Sequence, residues 1–357
     1  IGGLEGDRAA IWTIIHPSVS DGIGQLRMAE LYQQIRRDEA PPADVDLDAV
    51  IAEAVSSAKA KEVGGDLTTN AVSSIRASAS HLARRNFGIG RRLLGEVAMW
   101  PADPSRVGDT VGAAVDTFRS AATQLRPIDE EASLSSPLWS GRSRHRHFGW
   151  VRLHVDDLKR IGRIGGGTVN DAFLSGLAEA GHRYHRERGI RLSTLNSSFV
   201  LSTRTDHKAG GNAFTPVPVK LPAGAMAPFE RVTAVAAAAA AAKNEAQRTG
   251  GVTGLSGVAN LLPTSVVTST ARAAASRIDF ATSNLRGAPF PIFISGSEVL
   301  ATIPMGPVAG TGANITALSM NGEFDIGIFA DPEAITDPES FRLDVEAAFA
   351  DLLAACD

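Results

Sequence analysis

Ile11-Trp12-Thr13-Ile14-Ile15-His16-Pro17-Ser18-Val19-Ser20-Asp21-Gly22 is the stretch on which the reading of this chain turns. Ile11, Trp12, Ile14 and Ile15 form a short run of β-branched and aromatic residues, the pattern of a strand buried on both faces. Ser20-Asp21-Gly22 then offers N-cap chemistry. Beyond it, Ile23, Leu26, Leu31 and Ile35 share roughly one helical face, and Arg36-Arg37 suits a helix C-terminus. Ala40-Pro41-Pro42-Ala43 breaks the pattern. The stretch is therefore predicted to be a strand, a polar turn and a helix, with His16 and Asp21 at the junction.

The bounds are those of a globular chain. Its 357 residues allow two domains or one large one, and 44% hydrophobic with 21% charged residues can build a core. The net charge of −4 gives no global field to recruit nucleic acid. A lone cysteine, Cys356, excludes an intrachain disulfide and a Cys-based zinc site, and fits a reducing, cytoplasmic compartment. The longest apolar run, Val232 to Ala242, is mostly alanine and too short to span a bilayer, so membrane contact is expected to be peripheral. No signal peptide is visible, and the chain opens on Ile1 just before the expected strand. We therefore expect it to begin inside a domain, and to be poorly stable on its own.

Weak helical patterns run from Asp44 to Gln124, and the Pro- and Gly-bearing loop Arg126 to Arg144 is the expected boundary. His147 to Val155 alternates as a strand, and Asp156 or Asp157 can cap a short helix to Ile161. Thr168 with Asp171 three residues on has capping-box spacing. The stripe Val169, Phe173, Leu177, Ala180 and Tyr184 continues that helix to Gly189. Strands are expected at Leu195 to Leu201, Asn212 to Leu221, Asp279 to Leu285, Ile292 to Ile294 and Val299 to Ile303. Pro216 and Pro218 push the second of these to a sheet edge. Helices are expected at Pro228 to Gln247, Leu261 to Ser276, and from Asp337 or Pro338 through Leu353. Asn321-Gly322 makes Asn314 to Phe329 a hairpin.

Several of these segments, in order, carry a resemblance. Gly2-Gly3-Leu4-Glu5-Gly6, followed by His16-Pro17-Ser18-Val19-Ser20-Asp21-Gly22, resembles the segment that delivers an HHxxxDG motif. Gly166-Gly167-Thr168-Val169-Asn170-Asp171, with Arg183-Tyr184 and Glu187-Arg188-Gly189, resembles a TVND helix. Gly211-Asn212 with Val217 to Pro222 resembles a GN…PLP strand. Thr282-Ser283-Asn284-Leu285-Arg286-Gly287 resembles an SNVPGP motif, and Gly306-Pro307, Asn314 and Asn321-Gly322 resemble a final hairpin. Together they are similar to the bacterial wax ester synthase/diacylglycerol acyltransferase family of the CoA-dependent acyltransferase superfamily.

The resemblance implies an α/β (α+β) fold of two domains, with mixed sheets flanked by helices. Residues 1–145 would be the remainder of an incomplete N-terminal domain, carrying the HHxxxDG-like motif and a helical crossover. Residues 146–357 would be the C-terminal domain. It implies O-acyl transfer from acyl-CoA, as co-substrate and without a cofactor, to a long-chain alcohol or diacylglycerol. It also implies peripheral contact with membrane or lipid inclusions.

Acyl transfer from a thioester needs a base near neutral pKa, a role that suits histidine, and fixed donors for the oxyanion. By the resemblance the catalytic positions are His16, Asp21 and Gly22, with Asp21 holding the loop and Gly22 leaving room. The family's general base is the second His, and that position is Pro17 here. Two readings of His16 stay open. It replaces the base through a bulge at the strand end, or it packs beside the strand bonded to backbone. Asn170 and Asp171 are candidate substrate-binding residues, or only helix caps. Ser283 and Asn284 are candidates for the acyl or CoA channel, or a turn after a strand. The motif series favours an active acyltransferase, whereas Pro17 favours an impaired member that binds lipid or acyl-CoA. A peptide-synthetase condensation domain would share the motif but not the TVND helix or the hairpin.

Gly165 to Gly167 follow a predicted helix, not a strand, so the dinucleotide fingerprint fails and a linker is expected. His145-Arg146-His147 is expected to be a solvated strand start, not a metal site. His182 and His185 are expected on the surface.

Overall fold

The computed structural model describes residues 1–16, 20–39, 136–202, 214–248 and 275–357, all within one compact unit. The helices expected between residues 44 and 124, and most of the one expected from Leu261, lie outside the described residues. The described elements are α1 (Gly22–Ala29), β1 (His147–His154), α2 (Val155–Ile164), α3 (Val169–Glu187), β2 (Thr194–Ser202), β3 (Phe214–Pro222), α4 (Pro228–Arg248), β4 (Phe280–Arg286), β5 (Phe293–Ile294), β6 (Ser297–Glu298), β7 (Ala313–Met320), β8 (Glu323–Ala330) and α5 (Pro338–Ala354).

Six strands form one mixed sheet in the order β1-β8-β7-β4-β2-β3. β4 runs parallel to β2 and β7, and the remaining pairs are antiparallel. The β7–β8 hairpin turns through Asn321 (φ 49) and Gly322 (φ 85), the two left-handed residues that a type I′ turn needs. β3 lies at the sheet edge, where Pro216 and Pro218 withhold no N–H from an inner neighbour.

One face of the sheet carries the main core. Val151, Phe199, Val219, Phe280, Ile315 and Ile326 are buried there beneath the helices. α3 forms because Thr168 and Asp171 make the expected capping box, and its stripe packs inward. Gly189 (φ 74) follows its last turn. α4 is built of alanine, the strongest helix former, and buries Val232, Val235 and Ala239 at helical spacing. α5 is capped by Asp337, whose side chain accepts the Ser340 N–H, with Pro338 opening the first turn. Its buried Phe341 and Phe349 each contribute about 2–3 kcal/mol of apolar burial.

Four expectations are corrected. Residues 11–15 form no strand. Ile11, Trp12 and Ile14 are 72%, 56% and 84% exposed. Residues 1–10 fold back on themselves instead, with Ala10 N donating to Ile1 O and Leu4 bridging Arg8. An apolar run states a demand for burial but supplies no ladder partner. The first helix stops at Ala29, short of Leu31 and Ile35, because Gln34 leaves it to exchange backbone hydrogen bonds with Phe293 (2.8 and 2.9 Å). Val299 to Ile303 is irregular. Arg152 takes Leu300 O (2.9 Å), and Asp325 takes Thr302 N (3.3 Å), in place of a ladder. α2 has no side-chain cap: Asp156 and Asp157 stand in its first turn and His154 at its N-cap.

Candidate functional site

α1 gives the Asp-Gly junction its local structure. Asp21 is 8% exposed, and its Oδ1 accepts the Gly24 N–H at 2.8 Å, a side-chain cap on a helix N-terminus. Gly22 opens the helix without a positive φ, so it is not glycine for backbone reasons. A methyl placed on it would lie 3.0 Å from Leu285 Cδ1 and 3.2 Å from Cδ2. That is inside carbon–carbon contact distance, roughly 3.5–4.0 Å. The Asp-Gly junction and the Ser-Asn-Leu segment are therefore in contact, through Gly22 and Leu285.

Ser283 and Asn284 lie within β4, not in a turn, which corrects the turn reading. Successive strand residues point to opposite faces. Ser283 shares the face of Leu285, towards α1. Asn284 shares the face of Phe280 and Thr282, towards the helical layer. Ser283 stands two residues from Leu285 on one face, about 7 Å along the strand, and opposite Thr316 of β7.

His16 is exposed. Pro17 lies outside the described residues. Asn170 and Asp171 sit at the start of α3, in the helical layer on the other face of the sheet from α1. Asp171 Oδ2 accepts both Thr168 N and Thr168 Oγ1 at 2.8 Å, and its buried Oδ1 has no hydrogen-bond partner. Asn170 is half-buried. The structure thus brings Gly22 against Leu285, with Asp21 and Ser283 on the same side of the sheet, and places Asn170, Asp171 and Asn284 on the other.

A second polar centre escaped the sequence. His185 is fully buried, not on the surface, because its partner is Ser136, far away in the chain. Ser136 Oγ donates to His185 Nε2, and His185 Nδ1 donates to Gly181 O at 2.7 Å. Burial pushes the imidazole pKa down to about 4, so the ring is neutral at pH 7. Ser136 Oγ also accepts the N–H groups of Leu138 and Trp139, both at 3.2 Å. Its proton and lone pairs are committed, so this is a staple and not a nucleophile–base pair. Trp139, from the expected boundary loop, is fully buried against His185 and Phe341. His182 is half-buried and bonds Ala223 O.

Among the described residues, no group of three or more His, Cys, Asp or Glu could hold a metal ion. Among them, too, no helix is long and apolar enough to cross a membrane.

A mixed sheet with helices on one face, and an Asp-Gly helix start docked on the other, defines an α/β protein built to hold two distant motifs together. The model of the wax ester synthase/diacylglycerol acyltransferase catalytic domain matches residues 1–173, and that of the same family's C-terminal domain matches 210–353. The chain belongs to this family of acyltransferases. A Mycobacterium tuberculosis protein provisionally named as a diacylglycerol O-acyltransferase (Rv2484c) is 26% identical over 99% of this chain and 68% of its own length. A second from the same organism (Rv1760) is 23% identical over 94% of this chain and 62% of its own. The solved wax ester synthase/diacylglycerol acyltransferase of Marinobacter aquaeolei is 13% identical, with a TM-score of 0.49, over 69% of this chain and 57% of that one. The chain spans about two thirds or less of the length of these proteins.

Proposed function

We propose that this chain carries the O-acyl transfer of its family, from acyl-CoA to a long-chain alcohol or diacylglycerol. In that reaction the acceptor hydroxyl oxygen bonds to the acyl carbon and the C–S bond of the thioester breaks. The hydroxyl proton ends on the departing thiolate. Residues 1–145 supply the HHxxxDG-like motif, and residues 146–357 the TVND helix, β4 and the final hairpin. His16 is the candidate base, Asp21 holds the junction, Gly22 lets the facing strand approach it, and Ser283 lies on that strand. Asn170, Asp171 and Asn284, which the family motifs offer as substrate-binding residues, lie on the other face of the sheet and are not part of this cluster. The acceptor and donor are taken from solution or from a membrane or lipid-inclusion surface that the protein touches peripherally.

The observation that carries the reading is the contact of Gly22 with Leu285, which joins two of the family's motifs across the chain. Pro17, at the position of the family's general base, favours a second reading: an impaired member that binds lipid or acyl-CoA without turnover. One assay separates the two. The purified chain is given palmitoyl-CoA with hexadecanol or diolein, and ester is measured for the parent, His16→Ala and Pro17→His. Activity in the parent that His16→Ala abolishes establishes the first reading. Ester from Pro17→His alone establishes the second.

A further inference from the structure

The three nearest atoms to a methyl built on Gly22 all belong to Leu285: Cδ1 at 3.0 Å, Cδ2 at 3.2 Å and Cγ at 3.7 Å. Leu285 also packs in a small apolar cluster with Leu26 of α1, Ala288, Val299 and the buried Ile292, Leu318 and Met320. This cluster stands apart from the main core, on the opposite face of the sheet. α1 has eight residues, too few to hold helical shape by propensity alone. Its place on the sheet is set by what packs on it: Leu285 approaches it at Gly22 and shares an apolar cluster with Leu26.

We propose that Leu285 is a positioning residue for the acyl-transfer site, its isobutyl group seated in the notch left by Gly22. The notch fixes the Asp21-capped turn against β4 and so sets its distance from Ser283, on the same strand face. The missing side chain of Gly22 is thus filled by protein. The proposal rests on the acyl-transfer reading above. Leu285 touches no reacting atom in it and acts only through the junction it seats.

The reciprocal fit gives a test. Gly22→Ala crowds the notch, Leu285→Ala empties it, and the double variant restores part of the volume. Residues in contact couple, whereas independent ones add. Each variant of the full chain is assayed for kcat and for KM of palmitoyl-CoA, with hexadecanol in excess, and for its urea midpoint. Each single substitution is expected to lower kcat about 10-fold, less than the roughly 10²-fold that a full 1 Å misplacement can cost, with KM changed less than about twofold. The double variant is expected to recover to within about threefold of the parent, because the coupling offsets both losses. Leu285→Val, which keeps a branched side chain, is expected to retain most of kcat.

Effects that multiply in the double variant would overturn the positioning role, and so would losses that track the urea midpoint alone. A parent that forms no ester would overturn the acyl-transfer reading itself, and the positioning role with it. An active parent with multiplicative effects overturns the positioning role alone.

Discussion

Asp279 accepts the backbone N–H of Ser136 on one carboxylate oxygen, at 2.5 Å, and that of Asn196 on the other, at 2.7 Å. One side chain thus ties the chain entering the C-terminal core to the start of β2. Asp279→Ala would strand one buried donor, at roughly 1–3 kcal/mol, and one part-buried donor at less, offset in part by removing a buried charge. The expected loss is about 2–3 kcal/mol, read from urea unfolding with an unchanged denaturant slope. A loss below about 0.5 kcal/mol, the level of an ordinary surface change, would refute the tie.

The same region sets a pH dependence. His185 is held neutral by burial, with its pKa lowered to about 4. In the unfolded chain it titrates near 6.5, so between those values the unfolded state binds more protons. Its contribution is complete above about pH 6.5 and is lost as pH falls through about 4. Burial instead raises Asp279 to about 6, a shift of opposite sign. Its effect is complete below its unfolded pKa and is lost as pH rises through about 6. Asp344, raised to about 6 chiefly by burial, acts in the same direction as Asp279. The parent's profile is therefore flattened between pH 4 and 6. His185→Gln should remove the rising arm, so that its deficit relative to the parent shrinks by about 3 kcal/mol from pH 7 to pH 4. A deficit independent of pH would show that the ring is not held neutral.

Gly327 of β8 permits a close crossing. A Cβ there would overlap the carbonyl oxygen of Pro304, a backbone atom that cannot swing aside. Gly327→Ala must lift residues 300–304 off the sheet and disturb their ties to Arg152 and Asp325. Overpacking of this kind costs about 1–3 kcal/mol. The expected outcome is a lower thermal midpoint, with faster proteolysis within 300–304. A variant that melts with the parent would show that the segment does not depend on this crossing.

What the sequence disclosed follows from the range of the interactions. Thr168 and Asp171 are three residues apart, Asn321 and Gly322 are adjacent, and Pro216 and Pro218 act through their own backbone, so α3, the hairpin and the edge strand were legible. The apolar run at 11–15 announced burial but not a partner, and the described chain gives it none. Leu31 and Ile35 fit a helical stripe, yet Gln34 finds Phe293 instead. His185 sits three residues from His182 and looked like part of a solvated pair. Its partner Ser136 comes from a different part of the chain, and nothing local points to it. The candidate site was legible as motifs but not as geometry. Neighbours in sequence, Ser283 and Asn284 part to opposite faces, while Gly22 and Leu285 meet across most of the chain.

A buried ion pair offers the sharpest separation of stability from specificity. Arg231 is 1% exposed and donates to Glu179 Oε2 (2.6 Å), Pro222 O (3.0 Å) and Gly224 O (2.9 Å). Glu179 also accepts from Arg183 at 2.8 Å. The pair joins α3 to α4 and to the end of β3. Glu179→Ala leaves the Arg231 charge buried and unpaired by a carboxylate, a situation that costs about 3–5 kcal/mol. Replacing both partners removes the charge together with its counter-ion, and apolar replacements of buried pairs are often neutral or stabilising. Glu179→Ala should therefore be far less stable than Glu179→Leu/Arg231→Met in urea unfolding. The double variant should fall within about 1–2 kcal/mol of the parent, the remaining cost coming from Pro222 O and Gly224 O losing their donor. A double variant less stable than Glu179→Ala would mean that the carbonyl bonds, not the charge pairing, hold α4 in place.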